Sequence, residues 1–337
     1  MREFSRRGNY GLSPGREDRT MTPARMRRRR ARRPVAVRLV VVILGAAALV
    51  LGWEHVTGNV AGASSAGKPV DAAAFAAGAC VAFPPTAGDR RETVFLDAGH
   101  GGIDPGGVGT TESGHTVTEA AETLRVELDV MALLRAKGFR IVVSRTTNST
   151  VLRLGPADVY EGTLSLQGAH DDVAARDVCA NLANANVLVG IYFDASGSPQ
   201  TAGSVTAYDA ARRFSAANVR LAGLLQHAVL SAMNARGWDI PNDGVLSDSG
   251  LGSSAGNPAA GGLAAQSAAY DHLLLIGPAE PGYFSTPSEM PGAVIEPLYI
   301  TDPFEGSIAS SANGQLVIGR GIATAVEEFL TSASASG

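Results

Sequence analysis

The stretch Phe95-Leu-Asp-Ala-Gly-His-Gly-Gly-Ile-Asp-Pro-Gly-Gly107 joins the end of an apolar run to a glycine-rich segment. The apolar run begins near Glu92 and has the length and composition of a β-strand. The glycines and the proline that follow predict a loop. A helix is predicted from about Glu119 to Lys137, because apolar residues recur there at helical spacing and Gly138 would end it. Strand, loop and helix in this order are typical of an α/β fold.

The same alternation of strands and helices continues along the chain. Val187-Leu-Val-Gly-Ile-Tyr-Phe193 is apolar throughout, as expected of a parallel strand that is buried on both faces. We therefore predict one α/β domain over residues 89–333, with a mostly parallel twisted sheet flanked by helices. His272 is expected in its core. The remaining predictions are strands at 139–144, 203–208, 270–276 and 292–296, helices at 172–185, 215–236 and 313–331, and loops at 146–171 and 241–263.

The amino terminus is basic, and an apolar segment follows it. Residues 1–38 hold 13 basic and three acidic side chains, while the rest of the chain holds 15 basic and 29 acidic ones. The segment 35–53 approaches a transmembrane span of roughly 20 residues. The basic tail 1–34 would then stay in the cytoplasm and the domain would be exported. Cleavage after the small residues 61–63 would instead make the segment a signal peptide.

These patterns predict either a single-pass membrane protein with an extracytoplasmic domain or a secreted protein, with no nucleic-acid partner. Residues 54–88 are rich in Ala, Gly, Ser and Pro, which predicts a linker. The two cysteines are Cys80 and Cys179. Export would place them where disulfides persist, so they could pair and tie the linker to a helix. Two unpaired thiols are the alternative, because the sequence gives no distance between them.

Polar side chains follow several of the predicted strands. His100 comes after the first strand, Tyr192 and Asp194 lie at the end of the buried strand, and Glu296 ends the last one. The carboxyl ends of parallel strands meet at one edge of a sheet, where sites form in open α/β folds. Glu119 opens a helix next to the same edge. A catalytic zinc usually takes three protein ligands and a water, and a nearby Glu can serve as the base, so the sequence predicts a hydrolytic zinc site.

Over roughly residues 92–332 the chain resembles the zinc-dependent N-acetylmuramoyl-L-alanine amidases of bacterial cell-wall remodelling. Asp97-Ala-Gly-His-Gly-Gly-Ile-Asp-Pro-Gly106 is similar to the first ligand loop of that family. Ser144-Arg145 is similar to its Thr-Arg after the second strand, and Pro291-Gly-Ala-Val-Ile-Glu296 to the segment that ends in its catalytic Glu. The resemblance implies a phosphorylase/hydrolase-like fold. It also implies peptidoglycan as the partner and hydrolysis of the amide between N-acetylmuramic acid and the L-Ala of the stem peptide.

The resemblance further implies roles for individual residues. His100 and Glu119 would bind zinc, and Glu296 would transfer protons. Apart from the resemblance, we expect Arg145 to contact a substrate carboxylate, because a guanidinium forms bidentate hydrogen bonds with such groups, and we expect Asp194 to contact the substrate as well. For Arg176, which also matches the family pattern, a salt bridge inside the fold is the commoner use of such a residue and is expected here.

Position 192 departs from the family pattern. The family's ligand strand reads Ser-Ile-His-Ala followed by Asn or Asp, and this chain reads Gly190-Ile-Tyr-Phe-Asp194, so Tyr192 replaces the second His. A phenol of pKa about 10 must lose its proton to bind zinc, which a neutral imidazole need not do. Tyr192 could bind as a phenolate, or His115 or His170 could supply the missing nitrogen. The third alternative is a metal-free domain that binds peptidoglycan or a cell-wall partner without turnover. The sequence does not predict an oligomeric state.

Overall fold

The structure, a computed structural model, describes residues 66–249 and 262–334. The predicted basic tail 1–34, the predicted apolar segment 35–53 and the first part of the predicted linker lie outside these ranges. No helix within the described ranges has both the length and the apolar character that a membrane span requires.

The described strands and helices alternate along much of the chain. The strands are β1 (Lys68–Pro69), β2 (Ala79–Phe83), β3 (Thr93–Ala98), β4 (Val108–Thr110), β5 (Thr116–Thr118), β6 (Arg140–Arg145), β7 (Val159–Tyr160), β8 (Thr163–Leu164), β9 (Val187–Ile191), β10 (Ser204–Tyr208), β11 (Asn242–Ser247) and β12 (Gly292–Glu296). The helices are α1 (Glu119–Ala136), α2 (Leu166–Leu182), α3 (Ser215–Asn234), α4 (Gly262–Tyr270), α5 (Pro303–Ala309) and α6 (Ala312–Ser334).

Eight of these strands form one sheet in the order β1-β2-β6-β3-β9-β12-β10-β11. The four central strands β6, β3, β9 and β12 are parallel. On one side β2 is antiparallel to β6, and on the other β10 is antiparallel to β12 while β11 is parallel to β10. The predicted α/β domain with a mostly parallel sheet is therefore confirmed. Because β10 and β11 run in the opposite direction, their carboxyl ends lie at the edge opposite to those of β3, β9 and β12.

Helices cover both faces of the sheet. Leu96 and Ile295 point to the face that packs against α1, α3 and α6. Phe95, Leu188 and Val294 point to the other face, which packs against α2 and the segment before β12. Neighbouring residues of one strand are thus buried on opposite faces, which explains why the central strands have apolar sequences without alternation.

Part of the predicted linker 54–88 belongs to the sheet. β2 pairs with β6, and a disulfide joins Cys80 in β2 to Cys179 in α2. The structure therefore shows the paired alternative for the two cysteines. The run Ala79-Cys-Val-Ala-Phe83 has the composition of a short strand, but the Ala- and Gly-rich residues around it hide this signal.

The prediction of a strand at 270–276 is wrong. Tyr270 ends α4, and the following residues form turns in which Leu275 and Ile276 are buried against the sheet. A short apolar run has no period that distinguishes a strand from another buried segment. Helix α2 begins earlier than predicted because the hydroxyl of Ser165 accepts a hydrogen bond from the N–H of Gly168 and caps it. Strand β11 occupies part of the loop predicted at 241–263.

Candidate active site and a second donor cluster

The loop after β3 folds back onto the start of α1. The backbone N–H groups of Glu119 and Ala120 donate to the carbonyls of Gly107 and Pro105. These N–H groups have no acceptor within the helix, so the loop satisfies them. His100 in this loop has a φ of 59°, a left-handed conformation that few non-glycine residues adopt.

Two glycines allow the close approach of the side chains in this loop. Gly106 has a φ of 65°, and a Cβ there would lie 2.5 Å from Cδ2 of His100 and 2.7 Å from Oε2 of Glu119. A Cβ on Gly99 would lie 2.4 Å from Cε1 of Tyr192. Any larger residue at either position would displace a side chain of the site.

His100 lies between two carboxylates. Its Nδ1 is 2.7 Å from Oδ2 of Asp104, and its Nε2 is 3.2 Å from Oε2 of Glu119. Burial lowers the pKa of the imidazole, but hydrogen bonds to the two carboxylates and their charges raise it to about 10. Glu119 is itself held in place, because its carboxylate accepts hydrogen bonds from the N–H groups of Gly107 and Phe193.

The hydroxyl of Tyr192 is bound to a buried ion pair. It donates to Oδ2 of Asp97 at 3.1 Å, and Oδ1 of Asp97 is 2.6 Å from Nη1 of Arg176. Arg176 also contacts Asp172 at 2.8 Å, so its expected salt bridge inside the fold is confirmed. Burial and the charge of Asp97 raise the pKa of Tyr192 well above its usual range. The hydroxyl of Tyr192 is a hydrogen-bond donor to Asp97, and this contact gives no support to a phenolate ligand.

The two substitute histidines lie in different surroundings. His115 is exposed in the turn between β4 and β5 and is not part of the cavity that His100 lines. His170 in α2 does line that cavity; its Nδ1 is 2.8 Å from Asp171 and its ring packs against Tyr283. The Nε2 of His170 is buried and has no hydrogen-bond partner within the described residues.

The cavity has a volume of about 340 Å³ and extends from the carboxyl edge of β3, β9 and β12 across one face of the sheet. Glu296, at the end of β12, lines it together with His100. Burial and the negative charges of Asp194 and Glu119 raise the pKa of Glu296 to about 8. The structure thus brings together four of the predicted site residues at one edge: His100, Glu119, Asp194 and Glu296.

Arg145 is not available to a substrate. Its side chain is fully buried, and its guanidinium donates to the carbonyls of Ala98, Gly99 and Ala120. Arg145 therefore holds the backbone of the loop that carries His100 in position. The sequence expectation of substrate contact needs this correction, because a motif match gives the position of an Arg along the chain but not the direction of its side chain.

The residues at this edge do not complete the zinc site that the sequence predicts. The 3.2 Å between Nε2 of His100 and Oε2 of Glu119 is close to the separation of about 3.3 Å between two ligands of a tetrahedral zinc with bonds of about 2.0–2.1 Å. The hydroxyl of Tyr192 donates its hydrogen bond to Asp97 and does not complete the pair. Asp104 contacts the other ring nitrogen of His100, and within the part of the chain that the structure describes no third His, Cys, Asp or Glu donor lies within 4.8 Å of both Nε2 of His100 and Oε2 of Glu119.

One group of described residues does bring three such donors together. Asp209, Asp248 and His272 place their donor atoms within 4.8 Å of one another, and His272 lines the same cavity as His100. Neither aspartate is among the site residues predicted from the sequence, and His272 is predicted in the core. Asp209 directly follows β10, which the sequence predicts as a strand, so the rule that identified Asp194 would also have singled out Asp209. Asp248 follows β11, which lies in a segment predicted as a loop, so the rule could not find it.

Comparisons with known proteins identify the family and the fold. The sequence matches the family model of N-acetylmuramoyl-L-alanine amidase over residues 94–328, while no curated protein matches it. The CwlD amidase from Clostridioides difficile, solved with the GerS lipoprotein, is 18% identical with a TM-score of 0.51, and the alignment covers 72% of this chain and 99% of that one. This similarity shows the fold.

Two further solved structures are similar. N-acetylmuramoyl-L-alanine amidase AmiC2 of Nostoc punctiforme is 20% identical with a TM-score of 0.47, over 72% of this chain and 99% of that one. The amidase Ami1 from Mycobacterium smegmatis is 16% identical with a TM-score of 0.46, over 73% of this chain and 100% of that one.

Proposed function

The chain belongs to the N-acetylmuramoyl-L-alanine amidase family, and on this premise we propose that it hydrolyses the amide between N-acetylmuramic acid and the L-Ala of the peptidoglycan stem peptide. The observation that carries the proposal is Glu296, a carboxyl group with a pKa of about 8 in the cavity that His100 also lines. A group with a pKa near the working pH can both accept and return a proton.

The chemistry assigned to Glu296 is a proton transfer in two stages. Its carboxylate takes a proton from water as the water oxygen bonds to the amide carbon. The C–N bond then breaks, and the same proton passes to the leaving nitrogen of L-Ala. The products are the free carboxylate of the lactyl group and the free amino terminus of the stem peptide. Asp194, whose negative charge helps to raise the pKa of Glu296, lies at the same edge and is the residue that we assign to substrate contact.

The zinc dependence implied by the resemblance rests on His100 and Glu119. Since these residues supply two of the three usual protein ligands, we expect them to hold zinc weakly. Zinc must also displace the proton from Nε2 of His100, which further weakens binding as the pH falls. We therefore expect turnover to require added zinc and to be lost in the presence of a chelator.

The test is turnover of a purified muropeptide by the purified full-length chain with added zinc, with new amino termini as the readout. Glu296→Gln should lower kcat at least about 100-fold, because it removes the group that accepts the proton. Glu328→Gln, the same change on an exposed helix position, should leave kcat unchanged. Full turnover by Glu296→Gln would exclude the proposed role of Glu296.

The hydrogen bond of Tyr192 to Asp97 favours a second function, because a hydroxyl engaged in this way does not provide the third zinc ligand beside His100 and Glu119. This function is binding of peptidoglycan without turnover. Co-sedimentation with purified cell-wall sacculi distinguishes the two. Sedimentation of the unmodified chain with sacculi but no released amino termini, at saturating zinc, would establish the binding function and reject the hydrolase.

We also propose that the segment 35–53 carries the domain to the outer side of the membrane, where peptidoglycan lies. Its apolar length and the basic tail before it support this. Membrane fractionation and mass spectrometry of the mature amino terminus would separate a retained anchor from a cleaved signal peptide. A full-length chain in the cytoplasmic fraction would contradict both.

A further inference from the structure

Asp209, Asp248 and His272 converge from three different segments. Asp209 follows β10 and Asp248 follows β11, and these neighbouring parallel strands bring the two carboxylates to the same edge of the sheet. His272 comes two residues after α4. Its Nδ1 is 3.0 Å from Oδ2 of Asp209 and 3.3 Å from Oδ1 of Asp248.

The protein itself does not satisfy both carboxylates. Oδ1 of Asp209 accepts from the N–H groups of Ala211 and Arg212, and Oδ2 of Asp248 accepts from the N–H of Leu273. The other two oxygens both face Nδ1 of His272, and one nitrogen can donate only one hydrogen.

Oδ2 of Asp209 is the oxygen left over. It makes no hydrogen bond of acceptable geometry within the described residues, although Nδ1 of His272 is within ion-pair distance. Both aspartates are fully buried. A buried carboxyl oxygen without a hydrogen-bond partner is costly, and a cation between the three donors would remove the cost.

We propose that Asp209, Asp248 and His272 bind one divalent transition-metal ion of the zinc class. The distances of 3.0 and 3.3 Å from Nδ1 of His272 to the two aspartate oxygens are close to the separation of about 3.3 Å expected between two ligands of a tetrahedral ion. One imidazole and two carboxylates suit zinc and its first-row neighbours. This site lies at the opposite edge of the sheet from His100, and it would bind the ion whether or not the protein hydrolyses an amide.

The surroundings of the site are compatible with a cation. Arg212 is nearby, but its guanidinium donates to the carbonyls of Ile276, Gly277 and Ser288. The side chain of His272 is 22% exposed and lines the cavity. The ion therefore has an open side toward the cavity, where water or a carboxylate or carbonyl oxygen of a ligand can complete its coordination.

The test is metal binding by the purified full-length chain after chelator treatment, with Zn²⁺ titrated by calorimetry and Co²⁺ by visible absorption. His272→Gln and Asp248→Asn should each weaken binding at the tight site at least about tenfold, since each removes one of three ligands. His227→Gln changes an exposed His on α3 and serves as the matched control. Circular dichroism of each variant shows whether it is folded. Because Asp248 and His272 lie in different segments, a local folding defect in one variant would not explain a loss of binding in both.

Glu119→Gln separates this site from the His100 edge. Retention of the tight site in Glu119→Gln together with its loss in His272→Gln and Asp248→Asn supports the proposal. The proposal is overturned if tight binding survives in both His272→Gln and Asp248→Asn. It is also overturned if Glu119→Gln is the only change that removes tight binding. The absence of any binding by the unmodified chain at about 100 μM Zn²⁺ also overturns it. None of these outcomes depends on muropeptide turnover, so the proposed function is tested separately.

Discussion

Tyr192 shows how one side chain can change the properties of a site. The sequence indicates that this residue stands at the second His position of the family, but it does not indicate where the hydroxyl points. In the structure the hydroxyl donates to Asp97, which Arg176 also contacts. Relative to the family pattern, Tyr192 thus lacks the imidazole nitrogen that the resemblance implies as a ligand, and its hydroxyl donates a hydrogen bond to a buried ion pair instead.

We predict that Tyr192→His raises the zinc affinity of the His100 edge at least about tenfold, because it supplies a third, neutral nitrogen donor. The measurement is zinc titration in the His272→Gln background, which removes the other proposed ion. Tyr192→Phe is the matched control, since it loses the hydroxyl without gaining a donor. Equal affinities of the His and Phe variants would show that position 192 does not reach the metal.

At the scale of the element, the sequence predicts the strand, loop and helix around His100 well because three independent signals agree there. Glycines mark the loop, apolar spacing marks α1, and an apolar run marks β3. Strand direction has no such signal. Nothing in the residues of β10 shows that it runs antiparallel to β12, so the placement of Asp209 and Asp248 could not be derived. The strand β2 was missed for a different reason, because its five residues lie within a composition typical of linkers.

The disulfide connects two of these elements, β2 and α2, and its cysteines are 99 residues apart. We predict that Cys80→Ser combined with Cys179→Ser lowers the free energy of unfolding by about 3 kcal/mol, since cross-links that close long loops restrict the unfolded chain most. Urea unfolding measures this difference. Dithiothreitol should destabilise the unmodified chain and leave the double variant unchanged; an equal effect on both would contradict the prediction.

For the whole molecule, buried carboxyl groups link stability to pH. Burial raises the pKa of Glu127 to about 8 and that of Glu305 to about 7. The ordinary value of about 4.3 applies in the unfolded chain. Between these values the folded protein binds more protons than the unfolded chain, so its stability falls as the pH rises. The stabilisation is complete below about pH 4 and is lost as the pH passes through 7 to 8.

We predict that Glu127→Gln reduces this decline, because its amide oxygen can still accept from the N–H groups of Ala98 and Ser144 while the side chain no longer titrates. The change should reduce the slope of the free energy of unfolding against pH by at most about 1.4 kcal/mol per pH unit. Urea unfolding at several values between pH 5 and pH 8 measures it, with the exposed Glu328→Gln as the control. Parallel pH profiles for the unmodified chain and Glu127→Gln would show that Glu127 does not titrate in this range.

The bond between Cys80 and Cys179 also closes part of the chain into a covalent ring. His100 and Glu119 belong to the chain segment that forms the ring, whereas Glu296 and the three proposed ligands at the opposite edge belong to the chain that follows it. The hairpin of β7 and β8 is part of this ring, and Tyr160 in it is 65% exposed. A protease cut in this hairpin would open the ring without releasing a fragment, so the nicked protein would remain one molecule until the disulfide is reduced.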